Sequence, residues 1–380
     1  MQAFGIGRGP AGWFASVAPI TIAAVSLPIS LFLSRYSLKK TFAVGAFLQG
    51  AGLLTPIADS YGLIMVTRIL FAIGTAVTVP VASAILAGWF SSRKLPLING
   101  VMMSFINMGN ALAFVATVPI ATVLSWQAPI TIYGAFAITC ATAWVIFGKD
   151  QKRKQTLSAE TIGGPEIIDN RPDLGFKQVL KQRSTIMLAL AVMGSWALGN
   201  AFGSWLPNYY HEVFHMPLEK ASSILAITTV GGTIACIAGG ILPMRFGRRK
   251  PFVILSGALV GVAAMSAVLF NNPVIIFISV AMFGIVGNIQ NPTLFTIPME
   301  LPNMSIRSGM IVIAVMQCGG NLGNFAGPLI VGYIADLTGS YIPGFLISAI
   351  LSLSLLAAGI LLPETGPKGK ASFLKNQPAR

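Results

Sequence analysis

Charged residues are scarce in this sequence. Asp, Glu, Lys and Arg make up 9% of its 380 residues, whereas a soluble protein carries about 25%. Hydrophobic residues make up 54%, and the mean hydropathy is +0.77. A soluble fold of this length cannot hide so much apolar surface, because much of any folded surface faces water. The composition therefore indicates a membrane protein.

Residues for metal and redox chemistry are also few. Cys140, Cys236 and Cys318 lie in apolar runs without a CxxC pair, so we expect no disulfide, zinc site or redox motif. The two histidines lie in the segment His211-Glu-Val-Phe-His215, which has the HExxH spacing of zinc proteases. No further metal-ligand motif accompanies it. An intramembrane zinc metalloprotease is therefore a remote alternative, and we predict no metal, no cofactor and no enzyme activity.

The net charge of +14 raises the question of nucleic acid. The basic residues occur in short clusters between apolar runs, and they form no continuous basic face with aromatic platforms for bases. We therefore expect no nucleic-acid partner.

Eleven apolar runs approach or exceed the roughly 20 residues that a membrane-spanning helix needs. They lack the period-two alternation of a membrane barrel, so they predict helices. The runs cover residues 13–33, 42–58, 61–89, 98–124, 127–147, 186–210, 222–243, 251–270, 273–297, 308–335 and 342–362. A polar segment separates the first five runs from the last six, and its end, 173–183, predicts a short amphipathic helix at the membrane surface.

The basic residues predict the orientation. If each run crosses the membrane, successive loops lie on opposite sides of it. The loops on one side, with the linker and the tail, then hold every Lys and Arg except Arg8, Arg68 and Lys220. The positive-inside rule places that side in the cytoplasm. We therefore expect a multi-pass protein of the plasma (inner) membrane, with the linker and the C-terminus in the cytoplasm.

The chain contains an internal repeat. A shift of 210 residues brings the segment 30–40 onto 240–250, and a shift of 209 brings Gly100 onto Gly309. Parallel repeats of this kind are typical of transporters, whose substrate site lies between the halves near the bilayer midplane. The run at 186–210 has no counterpart in the first half. Two explanations stay open: the start is truncated or misassigned, or the protein has eleven membrane helices.

One loop is shared by the two copies. Its first copy carries Arg35, Lys39 and Lys40, and its second reads Gly240-x-x-x-Met-Arg245-Phe-Gly247-Arg248-Arg249. The second copy resembles the gating loop Gly-x-x-x-Asp-Arg-x-Gly-Arg-Arg of the major facilitator superfamily, without its Asp. The resemblance implies an all-α membrane protein with the major facilitator fold: two pseudo-symmetric six-helix bundles, here with the first helix absent and eleven transmembrane helices.

The resemblance also implies a division of the chain into four parts. These are an N-terminal bundle (1–148, transmembrane helices 2–6), a cytoplasmic linker (149–184), a C-terminal bundle (185–364, transmembrane helices 7–12) and a cytoplasmic tail (365–380).

Arg68 is the sharpest candidate for a functional residue. The run that begins at Arg68 and ends in Trp89-Phe90-Ser-Ser-Arg93 is similar to the fourth helix of family branches that move small organic anions, including cyanate-permease-like proteins. Arg68 lies about 10 Å from the outer end of its run at 1.5 Å per residue. A carboxylate substrate would suit its guanidinium. A structural arginine, bonded to helix carbonyls or to an acid in an absent helix, is equally open.

Polar residues at helical spacing add further candidates. Together with Arg68, the predicted substrate-binding residues are Asn107, Asn110, Trp196, Asn200, Asn288, Gln317 and Asn321. These amides can line a central site or simply bond neighbouring helices.

These features together predict a secondary active transporter that moves a small organic anion by alternating access, with proton coupling left open. We expect a monomer whose partners are the substrate and the lipid bilayer. Efflux of drugs and other amphipathic compounds is the alternative, and a non-transporting fragment stays open as well.

Overall fold

The computed structural model describes residues 17–26, 28–29, 36–57, 60–91, 94–149, 174–301 and 304–367. These residues form helices, turns and bends, without a strand in the described ranges. The helices are α1 (Val17–Ser26), α2 (Leu38–Gln49), α3 (Tyr61–Trp89), α4 (Leu95–Val123), α5 (Ala128–Phe147), α6 (Phe176–Lys181), α7 (Arg183–Phe214), α8 (Leu218–Phe246), α9 (Lys250–Leu269), α10 (Pro273–Ile289), α11 (Asn291–Glu300), α12 (Ile306–Thr338) and α13 (Ile342–Leu361).

Within the described ranges, eight helical stretches are long and apolar enough to cross a membrane. They are α3, α5, α7, most of α8, α9, α10 together with α11, most of α12, and α13. The run predicted at 13–33 is described only in part, as the short apolar helix α1.

Two predicted runs are not continuous α-helices. The run at 42–58 is α2 followed by a 3₁₀ segment, Gly50–Ile57, which contains Pro56. The run at 273–297 is interrupted at Gln290, between α10 and α11. Pro292 near the start of α11 has no N–H for the carbonyl of Asn288, and the thiol of Cys236 donates to that carbonyl instead, at 3.6 Å.

Each half of the chain has a buried core of its own. In the first half, Ile22 of α1 packs against Ala72 and Ala76 of α3. The second half, α7 to α13, has two larger apolar clusters, in which Phe202 and Leu188 are fully buried.

The end of that polar segment rests on the second half. The expected short helix is α6, and its Val179 is fully buried in a cluster of the second half. The backbone N–H of Leu174, just before α6, donates to the hydroxyl of Ser308 at 3.1 Å. The part of the linker from 150 to 173 lies outside the described residues.

One end of the bundle carries the basic residues and is called the basic end below. Lys39 and Lys40 lie in the first turn of α2, Lys94 precedes α4, and Arg245 and Arg248 flank the end of α8. This end therefore gathers the loops that the charge distribution assigns to the cytoplasm.

Candidate functional site

The two halves meet closely where α4 crosses α8 near the basic end. A Cβ atom added to Gly100 would lie 2.5 Å from the carbonyl oxygen of Cys236, and one added to Gly240 would lie 2.7 Å from that of Pro96. Only glycine allows this approach of the two backbones. An apolar group from both halves surrounds the crossing and is called the inter-half cluster below: Leu95, Met103, Cys236, Phe295, Met299 and Ile313.

Two predicted site residues touch each other across this contact. The side-chain amide of Asn107 on α4 donates to Oδ1 of Asn288 on α10 at 3.3 Å, and it also lies 3.4 Å from Sγ of Cys236 on α8. Asn291 donates to the same Oδ1 at 3.2 Å. Asn110, one turn beyond Asn107 towards the opposite end, is exposed.

Two more predicted residues are buried on α12. Gln317 and Asn321 are 4% and 5% exposed, and the amide of Asn321 donates to the carbonyl of Gln317 at 2.8 Å. On the adjacent α7, the ring of Trp196 covers Gly320, and the amide of Asn200 donates to the carbonyl of Asn324. Asn200 therefore bonds a neighbouring helix, which is the second role that the sequence left open for these amides.

Arg68 lies on a protein-facing side of α3. It is half-buried and shares its face with Ile64 and Ala72, four residues away on either side, which are 2% and 0% exposed. At 1.5 Å per residue it lies about 10 Å from the start of α3, whereas Asn288 lies about 22 Å from the start of α10 at the same end. Arg68 is therefore nearer the end opposite the basic end than Asn288 is.

The predicted gating-loop residues divide by environment. Lys40, Arg245 and Arg248 are exposed, and Arg35 lies outside the described residues. The backbone carbonyl of Lys39 accepts a hydrogen bond from the indole of Trp144 at 3.2 Å. Gly247 ends α8 with φ at +69°, a left-handed conformation that favours glycine.

Arg249 is the buried member of this loop, at 1% exposure. Its guanidinium donates two hydrogen bonds to the carboxylate of Glu300, at 2.9 and 3.1 Å, and a third to the carbonyl of Pro243 at 2.9 Å. The hydroxyl of Thr365 donates to the same carboxylate at 3.2 Å. Glu364 accepts from the backbone N–H of Arg249. The second loop copy lacks the motif's Asp, and Glu300 supplies the acid from another helix.

The HExxH residues lie at the opposite end of α7. His215 ends that helix in the left-handed region, with φ at 52°. Nδ1 of His211 lies 2.7 Å from the carbonyl of Met216, and the carboxylate of Glu212 accepts from the hydroxyl of Tyr341 at 3.0 Å. In the described ranges no group of three His, Cys, Asp or Glu residues is placed to hold a metal.

Comparison with known proteins gives consistent matches. The sequence matches the family profile of the Major Facilitator Superfamily over residues 1–311 and 245–379. It is 24% identical to the Cupriavidus necator protein named "Probable sulfoacetate transporter SauU", over 90% of this chain and 83% of that protein. It is 22% identical to the hexuronate transporter of Escherichia coli K12, over 79% and 72% of the two chains.

The fold is also similar to a solved structure. The crystal structure of the Major Facilitator Superfamily transporter FucP in the outward conformation superposes with a TM-score of 0.74 at 19% identity, and the match covers 95% of this chain and 91% of FucP. A second FucP structure, titled as the E. coli fucose:proton symporter, gives a TM-score of 0.71 at 17% identity over 94% and 91% of the chains.

Proposed function

The chain belongs to the Major Facilitator Superfamily and is a multi-pass membrane protein of the secondary-transporter class, and we propose that it imports small organic anions by alternating access. The proposal rests on Arg68, a permanent positive charge held on the protein-facing side of an apolar helix. An arginine is costly in the membrane interior and is usually kept there for a function. A carboxylate or sulfonate substrate suits a guanidinium, which binds such groups through parallel hydrogen bonds.

The relatives support this substrate class, because two of those compared carry the names of transporters for sulfoacetate and hexuronate, which are both anions. In our proposal the substrate enters from the end opposite the basic end. Its acidic group pairs with Arg68, and its remaining polar groups reach the amides of Asn107, Asn288, Gln317 and Asn321 near mid-membrane. Two N–H groups of a guanidinium match the two oxygens of a carboxylate.

We place the basic end in the cytoplasm of a plasma-membrane protein, following the positive-inside rule. The close contact of α4 with α8 then closes the cytoplasmic side. Import requires the halves to rock about the site, so that this contact opens and the other end closes. Substrate drives the change only through contacts that differ between the two states.

Proton symport is part of the proposal. Glu300 accepts two hydrogen bonds from Arg249 and one from Thr365, so we propose that the coupling acid lies elsewhere in the chain. In this view, collapsing the proton gradient with an uncoupler should abolish accumulation of the anion in vesicles, while exchange of internal for external anion continues.

The decisive experiment is uptake of radiolabelled D-glucuronate, a hexuronate, and of sulfoacetate into proteoliposomes. We expect Arg68→Gln to lose uptake, and Arg68→Lys to raise KM by about tenfold or more, because an ammonium lacks the bidentate fork. Lys177→Gln removes an exposed charge on α6 and should transport like the wild type. Unchanged uptake by Arg68→Lys for every anion carried would remove Arg68 from the site.

A further inference from the structure

Helix α4 presents a stripe of polar residues to the other half. Asn99 donates to the hydroxyl of Thr296 on α11 at 2.9 Å, and Ser104 donates to the carbonyl of Thr233 on α8 at 3.1 Å. Asn107 donates to Asn288 at 3.3 Å. The three donors lie along the side of α4 that contacts the other half, with Asn107 farthest from the basic end.

The hydrogen bonds at the two ends of this stripe differ in how deeply their side chains are buried. Asn99 and Thr296 are 2% and 0% exposed, and they are packed among the residues of α11, which are buried from Pro292 to Glu300. Asn107 and Asn288 are half-buried. Asn107 also lies farther from the basic end than Asn99 and Ser104 do. A solute that arrives from the opposite end therefore meets the Asn107–Asn288 bond before it can meet the others.

Asn288 is arranged so that it tolerates loss of this bond. Its Oδ1 accepts from Asn291 as well as from Asn107, and its amide nitrogen donates to the carbonyl of Gly284 in its own helix at 2.9 Å. If Asn107 moves away, Asn288 keeps two partners. The bond from Asn99 to Thr296 satisfies only half of its amide. Oδ1 of Asn99 is buried without a hydrogen-bond partner within the described residues, which is unfavourable. A closed contact with one exchangeable bond and one half-satisfied amide is suited to opening.

We propose that the Asn107–Asn288 bond is the outer element of an inter-half latch, which a bound substrate releases by taking over the two amides. The inference rests on the proposed function for the identity of the substrate, a carboxylate with hydroxyl groups. A hydroxyl or carboxylate oxygen accepts from Asn107, and this ends the link between α4 and α10. The remaining contacts of the stripe then separate towards the basic end.

The latch is tested first without substrate, on the full chain in nanodiscs. Spin labels at Lys94→Cys and Phe246→Cys, two exposed positions at the basic ends of α4 and α8, report the separation of the halves. The background carries Cys140→Ala, Cys236→Ser and Cys318→Ala. Serine keeps a hydroxyl where Cys236 contacts Asn107 and the carbonyl of Asn288. Pulsed electron–electron double resonance then measures the distance between the two labels, and the distance distribution gives the populations of the closed and the open states.

We expect Asn107→Ala to raise the ratio of open to closed populations about threefold, the size typical of one hydrogen bond between membrane helices. Asn288→Ala should do the same, and the double variant should add nothing, since both changes remove one bond. Thr117→Ala is the matched control, because it removes a bond from α4 to Tyr133 within the first half and should leave the ratio unchanged. Equal ratios in Asn107→Ala and the reference chain would overturn the latch.

The substrate arm uses D-glucuronate at saturating concentration. It should shift the reference chain towards the open distance and shift Asn107→Ala much less. If D-glucuronate shifts the populations of Asn107→Ala as much as those of the reference chain, the anion acts elsewhere, and the release step would be overturned. If D-glucuronate does not change the populations of the reference chain, the result counts against the proposed substrate. The populations measured without ligand still test the latch itself.

Discussion

A buried ion pair fixes the basic end of the second half. Arg249 meets Glu300 through two parallel hydrogen bonds, and both side chains are 1% exposed. A buried pair of this kind adds little by itself, because both charges have left water. Removal of one partner is costly, because the other charge is then uncompensated.

We therefore expect Glu300→Gln to lower the free energy of unfolding by about 3–5 kcal/mol. Arg249→Met combined with Glu300→Met should cost far less than either change alone. Denaturant titration of the protein in detergent measures both. Arg248→Ala, at the exposed neighbouring position, is the control and should be neutral. A double variant as unstable as the worse single variant would mean that packing, and not charge, decides stability here.

The sequence predicted only one side of this pair. Arg249 is predicted from the repeated loop, because the Arg248-Arg249 pair belongs to the loop motif. Glu300 lies 51 positions later and looks like an ordinary acid near the end of an apolar run. Nothing in its neighbourhood indicates a partner, because the contact exists only after α11 has packed beside α8. The Asn107–Asn288 bond was missed for the same reason.

Among the elements, α7 and α12 form the most closely packed pair in the second half. Cβ atoms added to Gly319, Gly323 and Gly327 would lie 2.1–2.8 Å from carbonyl oxygens of α7. The glycines recur every four residues, so they lie on one face and let the two backbones touch over two turns. This glycine-rich segment therefore allows the close contact between α7 and α12.

We expect Gly323→Ala to destabilise the protein by about 1–3 kcal/mol, because its Cβ would lie 2.1 Å from the carbonyl oxygen of Met193. Gly203→Ala is the matched control on α7, since nothing lies within 4 Å of the added carbon. It should be neutral or slightly stabilising, because alanine favours helix. Apparent melting temperatures in detergent make the comparison. Equal melting temperatures would contradict the packing argument.

The elements were predicted well where composition alone decides them. Long apolar runs such as 61–89 and 342–362 correspond to α3 and α13 almost to the residue. The interruptions were not predicted. The 3₁₀ segment after α2 and the break at Gln290 depend on where proline removes a donor and on which neighbour donates to the freed carbonyl. An apolar average over 20 residues does not contain that information.

At the scale of the molecule, the crossing at Gly100 and Gly240 determines how closely the halves meet. Gly240 was predicted as part of the gating-loop pattern, but its contact with α4 was not. The repeat aligns each half with the other and says nothing of where they touch. That contact depends on the state of the transporter as well as on the sequence.

We expect Gly240→Ala to disfavour closure at the basic end, because its Cβ would lie 2.7 Å from the carbonyl oxygen of Pro96. A cost of about 1 kcal/mol corresponds to about a fivefold shift towards the open state. Reaction of Cys236 with N-ethylmaleimide reports it, since that residue is fully buried in the closed contact. Lys177→Cys, at an exposed position of α6, serves as the internal standard, in a chain that carries Cys140→Ala and Cys318→Ala.

Gly109→Ala, where an added carbon meets nothing, should label at Cys236 like the parent chain. If Gly240→Ala also labels like the parent chain, the crossing does not limit closure, and the inter-half cluster alone would have to hold the halves together.

The docking of α6 has a consequence for the covalent connection between the halves. Leu174 and Val179 attach the end of the linker to the second half through a hydrogen bond and a buried side chain. The second half therefore carries its own leading segment, and each half has its own buried core. A gene divided between the codons for Lys149 and Leu174 should yield two polypeptides that assemble when co-expressed. The covalent link would then serve to supply the two halves in equal numbers, one copy of each per transporter.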